Sequence, residues 1–305
     1  MKSTSEQADA LLQTVGVRAR DDLRALRLKG DDQRSWLNGQ VTADVRETKA
    51  GDAVYALAVN VKGRVLTDLW VLDEGDALLV LMPLATLATV RESLERQIIM
   101  EDVELALDEE LRVLSAQGPA ALRACDGLPR TFPCAELEVD GAFVLVSASE
   151  RDAKLAELTS AAEQEGGCAV DEAGFTLARL RVGRPQLGLD FGERAYPQEA
   201  GLKGLAVSFN KGCYLGQEVV CTLEHRGKLS RRLLRLESVD GSASIGDELS
   251  DTAGQAIGQI TSCAADAASG HTLALGYAKM AHAIEGHELR TPHGRFVVRG
   301  TAGKD

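Results

Sequence analysis

The stretches AVYALAVN (residues 53–60), RVLTDLWVL (64–72) and ALLVLM (77–82) decide the fold class. Each is short, apolar and bounded by turn residues, with Val61-Lys62-Gly63 after the first and Asp73-Glu74-Gly75-Asp76 after the second. Strands separated by glycine-bearing turns of this length pair as antiparallel hairpins, so 53–82 reads as a meander. Upstream, LRALRLK (23–29) reads as a strand. Gly30-Asp31-Asp32 then supplies a turn and an acidic N-cap for a short helix carrying Trp36 and Leu37. Downstream, Pro83 opens a helix to about Met100, because Leu84, Leu87, Val90, Leu94 and Ile98 recur at helical spacing.

A second strand-and-helix series follows. Strands are expected at 103–107, 110–115 and near 136–147, and helices near 119–124, 151–165 and 172–182. Gly183-Arg184-Pro185 stops the last helix. The pattern is α+β, with two half-domains at about 23–108 and 109–228 behind an acidic, poorly ordered lead-in over 1–22 that holds at most a short helix. Residues 186–210 carry Gly and Pro without periodicity and read as a long ordered loop, a type of segment that is usually functional. Beyond Lys228 the texture changes to SRRLLRLE, GQAIGQITS, TLALGYAKM, HELRT and GRFVVRG. Short strands broken at regular intervals predict a small C-terminal β-barrel over 229–305.

With 305 residues the chain has room for about two domains. A 45% hydrophobic and 26% charged composition excludes a disordered chain. The net charge of −12 disfavours direct binding to nucleic acid or to an anionic membrane, since both rely on cationic neutralisation. The longest nearly uncharged apolar run, Ala77 to Val90, is 14 residues and contains Pro83, too short to span a bilayer. MKSTSEQADA has no apolar core for a secretory signal, and its acids argue against a mitochondrial one, so a cytoplasmic location is expected. Cysteines 125, 134, 168, 213, 221 and 263 include no CxxC pair, which supports neither a zinc ribbon nor a disulfide framework. The five histidines match no ligand spacing, and no metal site is expected.

The densest chemistry lies in KGCYLGQE, residues 211–218. Gly212 and Gly216 flank Cys213 and Tyr214, permitting close backbone approach. Lys211 and a helix starting just behind would both favour a thiolate at Cys213. Gln217 and Glu218 add an amide and a carboxylate. A lone cysteine is by default a small core residue, and the lysine and glycine neighbours weaken that default without reversing it. Between 203 and 232 lie six bases (203, 211, 226, 228, 231, 232) against two acids (218, 224), a basic island in an acidic chain. It reads either as an anion site or as a solvated face.

KGCYLGQE resembles the signature of the YgfZ family, folate-binding proteins similar in fold to the glycine-cleavage T-protein (aminomethyltransferase). LNGQVTADV (37–45), GRVLTDLWV (63–71), GRPQLGLD with PQEAGL (183–202) and SFNKGCYLGQEVV (208–220) fall in the family's order along nearly the whole chain. The resemblance implies ferredoxin-like subdomains set in a ring with the C-terminal barrel, and tetrahydrofolate in a central channel near the motif loop. It further implies an accessory role in iron–sulfur cluster assembly or repair, with iron–sulfur client enzymes as partners and neither nucleic acid nor membrane contacted directly. Carried over, Cys213 is the functional residue with Lys211 beside it, Gly212, Tyr214, Gly216, Gln217 and Glu218 complete the motif, and Asp68, Arg181 and Arg226 lie toward the cofactor. Three departures stand out. The base usually found four residues after the motif Glu is Thr222, with Arg226 near but out of register. The paired acids of true aminomethyltransferases are Thr67-Asp68. The pterin-holding Glu of their Arg-x-Glu-Ala-Gly helix end is Arg181 in RLRVG, and a cation cannot accept N–H donors. An accessory factor is therefore favoured over a classical aminomethyltransferase. The alternatives are a tetrahydrofolate-dependent aminomethyltransferase-like enzyme and an interaction module that has lost folate.

Overall fold

The computed structural model describes residues 2–304. Two five-stranded sheets pack face to face, with helices on their outer faces. A closed six-stranded barrel follows. In the first sheet the order is Ala53–Val59, Val65–Asp73, Leu78–Pro83, Leu23–Lys29, Glu104–Asp108, with antiparallel neighbours throughout. The second runs Cys168–Ala169, Gly16–Ala19, Leu111–Gln117, Gly141–Ser147, Thr131–Pro133.

The sequence texture explains these layers. In Leu78–Pro83 the residues Leu78, Val80 and Met82 pack under the helices Gln33–Asn38 and Leu84–Glu95, while Leu79 and Leu81 face the other sheet. A strand covered on both faces has no polar side to show, so it reads as an unbroken apolar run. Gly141–Ser147 behaves alike. Ala142, Val144 and Val146 pack with the helices Ala121–Ala124 and Arg151–Gln164, while Phe143 and Leu145 join Leu79 and Leu81 between the sheets.

The expectation of a poorly ordered lead-in is corrected. Ser3 and Glu6 form a capping box that starts a helix, Thr4–Gln13. Gly16–Ala19 is then an interior strand of the second sheet, antiparallel to Leu111–Gln117 and parallel to Cys168–Ala169. Ala8, Ala10 and Leu11 pack against Phe175, Leu177 and Ala178 of the helix Glu172–Val182. That helix begins at the Asp171 cap and ends at Gly183, whose φ of 78° suits glycine. Its far side meets the barrel through Leu180, Leu233, Leu275 and Ala302. The barrel comprises Arg231–Gly241, Glu248–Ser250, Ala256–Asp266, His271–Lys279, Glu288–Thr291 and Gly294–Thr301. No helix among the described residues is long and apolar enough to cross a membrane.

Candidate functional site

A cavity of about 580 Å³ opens beside the two sheets and is floored by the helix Glu172–Val182. It lies within the range of small-molecule sites. Segments far apart in sequence build it. The first sheet contributes Tyr55, Asp68 and Trp70. Arg18 and Arg20 come from the end of Gly16–Ala19 and the turn after it. Glu172, Phe175 and Arg179 lie three and four residues apart on one helix face, with Arg184 to Gly188 behind them.

The strand register creates the acidic corner. Leu57 pairs with Asp68 and Tyr55 with Trp70, so Tyr55 is the diagonal neighbour of Asp68 on one face. The Tyr55 hydroxyl donates to Asp68 Oδ2 at 2.9 Å. Asp68 Oδ1 is buried without a partner. Desolvation raises the Asp68 carboxyl above its ordinary range, opposed by the Tyr55 hydrogen bond and by Arg184 and Arg20. Thr67, the other member of the pair, bonds Thr86 at 2.7 Å and is fully buried. The acid this chain keeps is thus the one that reaches the cavity.

Aromatic and cationic groups line the rest. Trp70 lies 5.1 Å from Tyr55 and packs edge-on against Phe143. The Arg184 guanidinium sits 4.4 Å from the Tyr55 ring centre, and that of Arg18 3.4 Å from Phe175. Glu136 is buried between the Arg20 and Arg18 guanidiniums and the Ser115 hydroxyl. Arg20 also grips Asp22 through two 2.8 Å bonds. Burial and the Arg20 charge pull Arg18 down to about 9, and its Nε has no partner. Arg179 Nε and Gln186 Oε1, two more buried polar atoms without partners, also belong to this lining. Natural interiors rarely leave such atoms unpaired without a ligand or water to meet them.

Arg179 anchors the floor. Its guanidinium pairs with Asp190 at 2.8 Å and donates to Ser262 of the barrel at 2.8 Å. Asp190 also accepts from Ser262 at 2.6 Å, from Thr261 at 2.5 Å and from the Gln186 amide at 3.0 Å. One buried ion pair therefore ties the helix, the following loop and the barrel together.

The structure redistributes the residues expected from sequence. Asp68 is on the cavity. Arg181 is not, which corrects its placement toward the cofactor: it holds Asp266 through two contacts of 2.8 and 2.9 Å and Asp9 at 2.6 Å, joining the first helix to the barrel. Arg226 ends the helix Gln217–His225 on the exposed surface and is likewise off the cavity. The motif loop does not line the cavity either. Cys213 is exposed, while Tyr214 turns inward and shares an apolar cluster with Tyr55 and Leu187. The motif thus backs the cavity wall and presents its thiol elsewhere. Gly216 caps the helix at a φ of 78°, where a Cβ would lie 2.3 Å from the Asn60 carbonyl. Gln217 donates nothing to the thiol; its side-chain oxygen accepts from the Tyr214 amide at 3.3 Å, and Glu218 and Gly212 are exposed. Lys211 is buried on main-chain carbonyls of the 38–43 loop and not beside Cys213, which corrects its expected role next to the thiol. The basic island is dispersed: Lys203 pairs with Glu224 and Arg231 with Glu199. Among the described residues no His, Cys, Asp or Glu cluster could hold a metal.

The comparisons bear on this geometry. A model of the GCVT N-terminal domain matches residues 1–137. The tRNA-modifying protein YgfZ of Serratia proteamaculans (strain 568) is 28% identical over 232 residues, covering 72% of this chain and 70% of the relative. That of Aliivibrio fischeri (strain ATCC 700601 / ES114) is 25% identical over 277 residues, covering 88% and 86%. Over most of its length the chain is similar to the YgfZ proteins, and over residues 1–137 to the GCVT N-terminal domain. The crystal structure of glycine cleavage system aminomethyltransferase T from Bartonella henselae superposes with a TM-score of 0.84 at 19% identity, covering 98% of this chain and 88% of that one. The chain therefore shares the T-protein fold, barrel included.

Tyr55, Arg18, Arg20, Glu136, Phe175, Arg184 and Arg179 escaped the sequence reading. Arg184 carried a signal as part of GRPQLGLD, and Arg179 as the first residue of RLRVG. The others come from segments with no motif of their own.

Proposed function

We propose that this chain is a folate-binding accessory factor that supports iron–sulfur enzymes, with the folate in the cavity and Cys213 acting at the surface. The observation that carries the reading is the cavity corner where Asp68 keeps an unpartnered oxygen beside Tyr55 and Trp70. A reduced pterin is a flat ring with N–H donors and joins an anionic glutamyl tail. The residues present fit that group. Asp68 can accept an N–H, the Tyr55 and Trp70 rings can flank the plane, and Arg18 and Arg184 supply positive charge. Tetrahydrofolate, when bound, supplies a one-carbon carrier and a redox-active ring. The chain's own part is to orient it, exclude water from the corner and hold a proton at Asp68, whose raised affinity for one is set by burial.

Cys213 is accessible to a client, and one thiolate cannot hold a cluster alone, so any ligation would be shared with partner thiolates. The relatives' name adds tRNA modification. A net charge of −12 disfavours direct grip on tRNA, so client enzymes that both carry clusters and modify tRNA reconcile the two.

Two measurements test the proposal. Calorimetry with tetrahydrofolate should give saturable binding, weakened roughly ten-fold or more in Asp68→Asn because an amide N–H2 replaces the free accepting oxygen; flat heats for the native protein would leave an interaction module. In cells lacking the factor, Cys213→Ala should fail to restore iron–sulfur enzyme activity while remaining folded, and full rescue would remove Cys213 from the function. Retention of Asp68 on the cavity also favours a second reading, one-carbon transfer. Turnover with a lipoyl-bound aminomethyl donor, lost in Asp68→Asn, would promote it.

A further inference from the structure

The motif lysine has a geometry that its sequence position does not reveal. Lys211 is 8% exposed. Its Nζ donates to the carbonyls of Asn38 at 2.7 Å, Val41 at 2.7 Å and Ala43 at 2.6 Å. These three oxygens converge from a tight turn after the helix Gln33–Asn38. An ammonium has three donors and no acceptor, so all three are consumed. None remains for the thiol two residues away.

The same two segments are cross-linked by further bonds. The Leu215 amide donates to the Gly39 carbonyl at 3.1 Å, and the Ser208 amide to the Thr42 carbonyl at 2.9 Å. The Thr42 hydroxyl donates to the Ala206 carbonyl at 2.6 Å and accepts from the Leu57 amide at 2.9 Å. On the far side of Cys213, Tyr214 is buried and its ring centre lies 5.3 Å from Lys211 Nζ. Cys213 is therefore an exposed residue strung between two buried anchors.

We infer that Lys211 is a positioning residue, whose ammonium nails the cysteine-bearing segment to the 38–43 turn and so determines where Cys213 is offered to a partner. The inference rests on the proposal that Cys213 acts on clients. Chemistry selects lysine here. A neutral side chain would leave three buried carbonyls unpaired. Arginine spreads its donors over a planar fork and cannot bring three of them to one point.

The test uses the full chain and compares Lys211→Met, Lys211→Arg and Cys213→Ala by hydrogen exchange, tetrahydrofolate calorimetry and rescue of iron–sulfur enzyme activity in cells. In both lysine variants, amide exchange at Val41, Thr42, Ser208 and Leu215 should rise roughly ten-fold or more, while barrel amides such as Leu234 and Gly276 hold. Tetrahydrofolate affinity should persist, because residues 38–43 and 208–216 do not line the cavity, and client rescue should fall. A purely structural role would raise exchange everywhere together. Unchanged exchange at the four amides, or full rescue despite increased exchange, overturns the inference. If Lys211→Met does not fold, reductive methylation of the native protein decides: Lys211 should label far more slowly than exposed Lys62 and Lys228, and equal labelling overturns the tether. Full rescue by Cys213→Ala with the local exchange change intact would instead sink the Cys213 reading and leave the tether standing.

Discussion

Asp68→Asn should stabilise the ligand-free protein at neutral pH, although it removes a candidate ligand-binding group. In the native chain one carboxylate oxygen accepts from Tyr55 at 2.9 Å and the other is buried unpaired, so the negative charge is poorly compensated. Burial raises the carboxyl's proton affinity in the folded state. The sign follows. A carboxyl whose folded value lies above its unfolded one adds stability below the unfolded value of ~3.9, and that contribution is lost as pH rises through the folded one. The neutral amide keeps the Tyr55 bond and has no charge to bury. What the variant removes is the buried charge, since its N–H2 stands where the unpaired oxygen was, and each pH unit by which folding raises a carboxyl is ~1.4 kcal/mol. For a chain of this length each kcal/mol moves the midpoint by roughly 1–2 °C. The variant should therefore melt roughly 2–5 °C higher at pH 7, with the gap closing as pH falls toward 4. Scanning calorimetry of both proteins from pH 4 to 8, without folate, measures this. A midpoint at pH 7 equal to or below that of the native chain would refute the argument, and would mean that Arg20 and Arg184 fully offset the buried charge.

Three further outcomes follow from named contacts. Asp190→Asn should lower the urea midpoint by the equivalent of ~3–5 kcal/mol, since it strands the Arg179 guanidinium in a site that is 1% exposed; a loss under ~1 kcal/mol would mean that Ser262 suffices. Arg181→Met should leave tetrahydrofolate affinity unchanged while speeding proteolysis of the helix Thr4–Gln13, because Arg181 holds Asp9 and Asp266; weakened folate binding would return it to the cofactor site. Gly216→Ala should destabilise the chain by ~1–3 kcal/mol through a positive φ and a 2.3 Å clash with Asn60, read by denaturant unfolding; neutrality would show that the 60–63 turn yields readily.

The fold was legible wherever pattern is local. The meander over 53–82, the helix ended at Gly183 and the barrel's short strands each announce themselves within a dozen residues. Gly16–Ala19 did not, because four residues carry little periodicity and its partners lie about 100 and 150 positions away. A hint was present in Ser3 and Glu6, the ends of the capping box. The site divides in the same way. Asp68 and the cysteine motif stand in recognisable strings, whereas Arg20, Glu136 and Phe175 meet only after the sheets stack. Arg181 was misplaced by a simple rotation. It follows Arg179 by two positions, which turns it roughly 200° about the helix axis, from the cavity to the opposite flank.

The Arg179–Asp190 pair has one more implication. Since Thr261 and Ser262 complete the shell around Asp190, swinging the barrel outward would tear two hydroxyls from a charge that water cannot quickly reach. The C-terminal unit is therefore a keystone and no door: a guest molecule enters by the cavity's existing mouth while the masonry stays put.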